Sequence, residues 1–125
     1  SRESIDAISS FCTVEQFATE NRVRDCSLVI GHASTAFDFA VLFQKSICIV
    51  SMNSISNNPS FQNATEQYAN HLGRTVNMVN ADTNDSIDYG IDEDAYQTFK
   101  KKFIKTPGTP DVNSWKYVIS TLKSI

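Results

Sequence analysis

The apolar positions of the chain predict strands that alternate with helices. Short apolar runs at residues 28–30 and 47–50 are typical of parallel strands buried on both faces of a sheet. Alternating apolar positions predict further strands at residues 5–11 and 75–79. With helices between the strands, this order predicts a three-layer α/β domain. Its short parallel sheet should have three or four strands, with residues 28–30 and 47–50 in the centre.

Capping signals and helical spacing place three helices in the first part of the chain. Thr13 to Gln16 have the composition of a capping box and predict a helix to about residue 22, with Val14, Phe17 and Ala18 facing inward. A second helix begins at Ser34 or Thr35 and ends near Lys45. A third, over residues 61–72, follows a polar loop at 53–60 and ends at Gly73.

The last third of the chain predicts two extra C-terminal helices. The first begins at Asp92 and runs to about residue 105, after a polar, acidic loop at residues 81–91. The second is capped by Asp111 and presents one apolar face to the core: Val112, Trp115, Ile119 and Leu122.

Composition is that of a single globular domain over residues 1–125, with 41% apolar and 20% charged residues. The net charge of −3 supplies no basic excess for nucleic-acid binding. No apolar run is long enough to span a membrane. Three cysteines, an odd number without metal-ligand spacing, favour a reducing cytoplasmic setting and no disulfide framework. Cys48 is expected to be a small buried apolar residue.

The strongest candidate site is the segment LVIGHAST at residues 28–35. Ligands of parallel α/β sheets bind beyond the carboxyl ends of strands, and a helix N-terminus there favours phosphate. Gly31 permits close backbone approach, and His32, Ser34 and Thr35 can donate hydrogen bonds. The alternative is that Gly31 only makes a turn and Ser34 only caps a helix. Neither a Walker loop nor a GxGxxG motif is present.

Residues 13–50 resemble a known family. DCSLVIGHAST at residues 25–35 and QKSICI at 44–49 resemble the "aDlvIghsST…EAlllGkPvI" stretch of bacterial GT-B glycosyltransferases. That stretch lies in the C-terminal, nucleotide-sugar-binding domain of enzymes that build capsule and other surface polysaccharides. TVEQFA at residues 13–18 is similar to the helix that precedes it.

This resemblance implies a Rossmann-like fold and a nucleotide-sugar donor as substrate, without a metal or other cofactor. Its phosphate-binding residues map to Gly31, His32, Ser34 and Thr35. Phe39 stands at the position of the family's ribose-binding glutamate, so Asp38, the nearest acid, is the candidate nucleotide-binding residue there. The family's turn glycine and proline are replaced by Gln44 and Ser46.

The resemblance further implies that the chain is the later part of the C-terminal half of a two-domain enzyme. The N-terminal acceptor-binding domain and the catalytic base would lie outside this chain, which would not be active alone. The alternative function is a non-catalytic α/β interaction module in which the phosphate-binding corner is vestigial.

Two charged segments allow other interpretations. Asp82, Asn84, Ser86, Asp88 and Glu93 have the spacing of a calcium-binding loop, but Ile87 stands where the sharp turn requires glycine, so a solvated loop is favoured. The lysines of residues 100–105 complement the C-terminal end of their helix, or contact anionic lipid at the inner face of the cell membrane. His71 lacks a partner at metal-ligand spacing and is expected at the surface.

Overall fold

The sheet consists of three parallel strands. The computed structural model describes residues 10, 12–79, 86–108 and 114–124. Its strands are β1 (Leu28–Gly31), β2 (Ser46–Ser51) and β3 (Asn77–Met78), paired in the order β1-β2-β3. The predicted α/β class and parallel sheet are confirmed, and the architecture is consistent with a small Rossmann-like domain.

The helices begin and end largely where local chemistry requires. Asn58 caps the longest helix, Pro59–Leu72, by accepting a hydrogen bond from the Ser60 amide, and Gly73 ends this helix with a φ of 66°. Asp92 caps the next helix, Glu93–Phe99, by accepting a hydrogen bond from the Ala95 amide at 2.9 Å. The predicted helix end at Gly73 and start at Asp92 are confirmed. The helices of the described residues are α1 (Thr19–Asp25), α2 (Ala36–Leu42), α3 (Asn53–Ser56), α4 (Pro59–Leu72), α5 (Glu93–Phe99), followed by a π-helical turn (Lys100–Ile104), and α6 (Ser114–Lys123).

The core lies between the sheet and helices α2, α4 and α5. Pairing of Val29 with Ile47 places these two side chains on one face of the sheet, where both are buried. Phe37 of α2 and Leu72 of α4 are wholly buried with them. Tyr96 of α5 is also wholly buried, and its hydroxyl donates to the Lys45 carbonyl at 2.6 Å. Cys48 is buried as expected.

Strand β1 differs from the prediction of a central strand buried on both faces. Among the described residues it pairs only with β2, so β2 is the central strand. The described residues cover only one face of β1, and Ile30 is 63% exposed. Apart from Ser10, the strand predicted at residues 5–11 lies outside the described residues.

The first helix begins five residues later than a capping box at Thr13 to Gln16 would give, at Thr19. Phe17, predicted to face inward, has a left-handed φ of 60° and is fully exposed. That backbone conformation is incompatible with a helix through residue 17. Glu15 instead accepts hydrogen bonds from the Arg22 guanidinium. The predicted loop at residues 53–60 is also wrong in part, because α3 and the start of α4 occupy it.

The prediction that the last helix packs its apolar face into the core is wrong. Trp115 is 74% exposed, and Ile119 and Leu122 are exposed as well. Asp111 and Val112 lie outside the described residues. Apolar spacing correctly indicated an amphipathic helix, but it does not specify which surface covers the apolar side.

The chain that leads into α5 is held against the sheet by Asp88. Its carboxylate accepts from the Thr75 amide at 2.7 Å and from Arg74 at 3.2 Å. These interactions hold the pKa of Asp88 below its usual range, and the hydrogen bond from the Thr75 amide has the largest effect. Asp82 and Asn84, which belong to the spacing of a calcium-binding loop, lie outside the described residues. Asp88, which also belongs to it, hydrogen-bonds to Thr75 and Arg74 instead.

Candidate functional site

Four of the predicted site residues lie together where β1 leads into α2. Gly31 is the last residue of β1, and α2 begins at Ala36. His32 and Ser34 are half-buried, and Thr35 is exposed. The carboxyl end of a parallel strand therefore meets a helix N-terminus here, the geometry in which α/β domains bind phosphate groups. We call Gly31, His32, Ser34 and Thr35 the β1–α2 corner.

Gly31 has a packing role at the corner. A Cβ atom at this position would lie 3.2 Å from Cζ of the Phe37 ring, closer than a comfortable contact. The ring of Phe37 thus packs directly against the end of β1 and fixes the start of α2 beneath it. This contact favours glycine at residue 31 whether or not a ligand binds, because a Cβ atom would require the Phe37 ring to shift by a few tenths of an ångström.

The Ser34 side chain hydrogen-bonds to the start of α2, whereas the side chains of Thr35 and His32 do not. The Ser34 hydroxyl accepts from the Ala36 amide at 3.1 Å, and the Ser34 carbonyl accepts from the Phe37 amide. Within the described part of the chain, no protein group bonds to the Thr35 hydroxyl or to the His32 ring. These two side chains are the corner's available hydrogen-bonding groups.

Asp38 faces a different part of the protein. It lines a cavity of about 360 Å³ between α2, α4 and the π-helical turn, together with Tyr68, His71, Phe99 and Phe103. None of the four corner residues lines this cavity. Burial raises the pKa of the Asp38 carboxyl above its usual range. A ribose-binding role for Asp38 beside the corner is therefore not supported by its position.

Sequence reasoning did not identify the aromatic members of this cavity, which we call the Asp38 cavity. Tyr68 and His71 are three residues apart on α4, and Phe99 at the end of α5 is four residues before Phe103 in the π-helical turn. Residues at such spacings lie on one side of a helix, so the sequence could have indicated that each pair shares a face. His71 is exposed as expected, yet its ring also contacts Phe103 edge-on, with centroids 4.9 Å apart.

Gln44 makes the turn between α2 and β2 in a backbone conformation typical of glycine. It has a φ of 55°, in the left-handed region that glycine adopts most readily. The backbone between α2 and β2 therefore makes a glycine-type turn at a residue that carries a side chain.

No family model, curated protein or solved structure matches the chain. Within residues 10, 12–79, 86–108 and 114–124, no cluster of His, Cys, Asp and Glu is suited to hold a metal ion. In the same part of the chain, no helix is both long enough and apolar enough to cross a bilayer.

Proposed function

We propose that the chain is the nucleotide-sugar-binding part of a glycosyltransferase of surface polysaccharide synthesis, and that the β1–α2 corner binds the donor's phosphate groups. One observation carries the proposal. The Thr35 hydroxyl and the His32 ring have no bonding partner among the described residues, and both stand at a helix start beyond a parallel strand. The resemblance over residues 13–50 supplies the substrate class.

The corner's chemistry suits a nucleoside diphosphate. A hydroxyl and a ring N–H donate to phosphate oxygens, and a hydrogen bond to a charged group contributes about 1.5–3 kcal/mol. The helix N-terminus adds about 0.3–1 kcal/mol for a nearby negative charge. In a transferase the same donors would stabilise the negative charge that develops on the leaving diphosphate. The acceptor site and the catalytic base would come from another part of the enzyme.

Thr35→Ala tests this role without removing the helix cap. A panel of nucleoside diphosphates and CMP is first screened by thermal shift, and the tightest ligand is then titrated by calorimetry. We expect Thr35→Ala to weaken its binding about tenfold, because one charge-assisted hydrogen bond is lost. Stability should change little, since the Thr35 side chain makes no capping hydrogen bond and the Ser34 hydroxyl still accepts from the Ala36 amide.

Asn58→Ala is the matched control. It removes the cap of α4 and should lower the free energy of unfolding by about 1 kcal/mol, with unchanged nucleotide affinity. Unchanged affinity in Thr35→Ala, or an equal loss in both variants, would remove the corner as the binding site.

A non-catalytic interaction module is the second candidate. Gly31 and Ser34 already have structural roles, and Asp38 lines a cavity that the corner does not share. These observations would fit a corner that keeps its shape after losing its ligand. The module is favoured if no nucleotide of the panel raises the melting temperature.

We further propose that the C-terminal region rests on an anionic membrane surface. Residues 100–125 contain six lysines and one aspartate, whereas the whole chain has a net charge of −3. Helix α6 has two lysines, no acidic residue and an exposed apolar stripe of Trp115, Val118, Ile119 and Leu122. A cationic amphipathic helix with an exposed Trp is typical of segments that lie in the bilayer interface.

Vesicle co-sedimentation tests this surface. The chain should bind vesicles of phosphatidylglycerol mixed with phosphatidylcholine, and not vesicles of phosphatidylcholine alone. We expect Trp115→Ala/Leu122→Ala to reduce the bound fraction at least about fivefold, because it removes most of the apolar stripe. Phe61→Ala, which removes an exposed ring from α4, serves as the control and should bind as the parent does. Equal binding to both lipid mixtures, or none to either, would contradict the proposal.

A further inference from the structure

The Asp38 cavity combines one carboxylate with several aromatic rings. It is lined by Asp38 from α2, Tyr68 and His71 from α4, Phe99 from the end of α5, and Phe103 from the π-helical turn. Its volume of about 360 Å³ accommodates a small organic molecule. Neither the β1–α2 corner nor the nucleotide chemistry proposed above uses it.

Among the described residues, no cation forms an ion pair with the Asp38 carboxylate. Ion pairs among the described residues join Arg22 to Glu15, Arg24 to Asp25, and Arg74 to Asp88. Asp38 takes part in none of them, and no described residue hydrogen-bonds to its carboxylate. Partial burial opposes its ionisation and raises its pKa. A half-buried, unpaired carboxylate is a natural binding partner for a cation.

The aromatic walls add a second attraction for a cation. Tyr68 and Phe99 have ring centroids 6.3 Å apart, and Phe99 and Phe103 are 4.9 Å apart. The faces of such rings attract positive charge, by about 0.5–2 kcal/mol for each favourable contact. Phe103 already shows this behaviour, because Nζ of the exposed Lys102 lies 5.2 Å from its centroid.

The cavity wall contains an uncommon backbone feature. Lys100–Ile104 forms a π-helical turn, which the Lys105 amide closes by donating to the Lys100 carbonyl at 2.8 Å. Such turns are rare in proteins, and those that do occur are often found at functional sites. Here the turn carries Phe103, one of the residues that line the cavity.

We propose that the Asp38 cavity binds the positively charged head of an organic ammonium compound. The Asp38 carboxylate supplies the counter-charge, and the rings of Tyr68, Phe99 and Phe103 form the walls around the cation. An uncharged group of the same shape would gain only the apolar contact, so charge, rather than shape, sets the specificity.

Choline and its uncharged isostere, in which carbon replaces the quaternary nitrogen, are the probes. Binding to the full chain is followed at pH 8 by NMR shifts of the aromatic and amide signals. We expect choline to bind at millimolar concentration, and the isostere at least about tenfold more weakly. Asp38→Asn should weaken choline binding about tenfold, and Phe103→Leu several-fold. Asp94→Asn, an exposed change on α5, is the matched control and should have no effect.

Three results would overturn the assignment. Equal affinity for choline and the isostere would show an apolar cavity without selectivity for charge. Equal losses in Asp38→Asn and Asp94→Asn would show a general effect of net charge. No saturable shift from choline would show that the cavity does not take an ammonium group. None of these results bears on nucleotide binding at the corner, which Thr35→Ala tests separately.

Discussion

Phe37→Ala should lower the free energy of unfolding by about 3–5 kcal/mol, the range for removing a buried ring from a packed core. Phe37 is 0% exposed. Its ring packs against Gly31 at the end of β1 and meets the Tyr68 ring edge-on at a centroid distance of 5.4 Å. The substitution would leave a void where β1, α2 and α4 meet, and urea denaturation followed by circular dichroism measures the loss.

Phe61→Ala is the control for this first prediction, because the Phe61 side chain is 52% exposed. Its effect should stay within about 1 kcal/mol, since a partly exposed ring loses little on truncation. Similar losses for the two variants would contradict the placement of Phe37 at the centre of the core.

Gly73→Ala should lower the free energy of unfolding by about 2–3 kcal/mol, through two effects. Gly73 has a φ of 66°, which an alanine adopts only with strain. A Cβ atom there would also overlap the Asp92 carboxylate, which caps α5. One methyl group would therefore disturb the end of α4 and the start of α5 together.

Two variants separate these effects. Gly108→Ala pairs a φ of 83° with open space around the new methyl group, so it reports the backbone strain alone, about 1–2 kcal/mol at most. Asp92→Ala reports the lost cap alone, about 1 kcal/mol. If Gly73→Ala destabilised the protein no more than Gly108→Ala does, the contact with Asp92 would have no energetic weight.

Features decided by neighbouring residues were predictable from the sequence. The apolar run of β2 defines a strand that must be covered on both faces, and Ile47 on one face and Cys48 on the other are both buried. Gly73 ends α4 and Asp92 starts α5 because each satisfies backbone groups within a few residues of itself. The corner could be located in the same way, since a glycine and hydroxyl residues follow directly after a short apolar run.

Features decided by distant parts of the chain were not predictable. Apolar spacing gives α6 an apolar side, but only the folded chain shows that Trp115 remains exposed. Likewise, only the folded chain shows that Ile30 on β1 remains exposed. Asp38 lies one residue before the expected acid position, and one residue on a helix is a rotation of about 100°. That rotation is consistent with its place in an aromatic cavity instead of the corner.

The most direct test of the nucleotide-binding proposal maps a bound nucleoside diphosphate on the full chain by amide NMR shifts. The proposal predicts that the largest saturable shifts fall on the amides of Gly31, His32, Ser34 and Thr35, and that they require the diphosphate group. Shifts confined to the Asp38 cavity, around Tyr68 and Phe103, or no saturable shifts with any nucleotide, would contradict it.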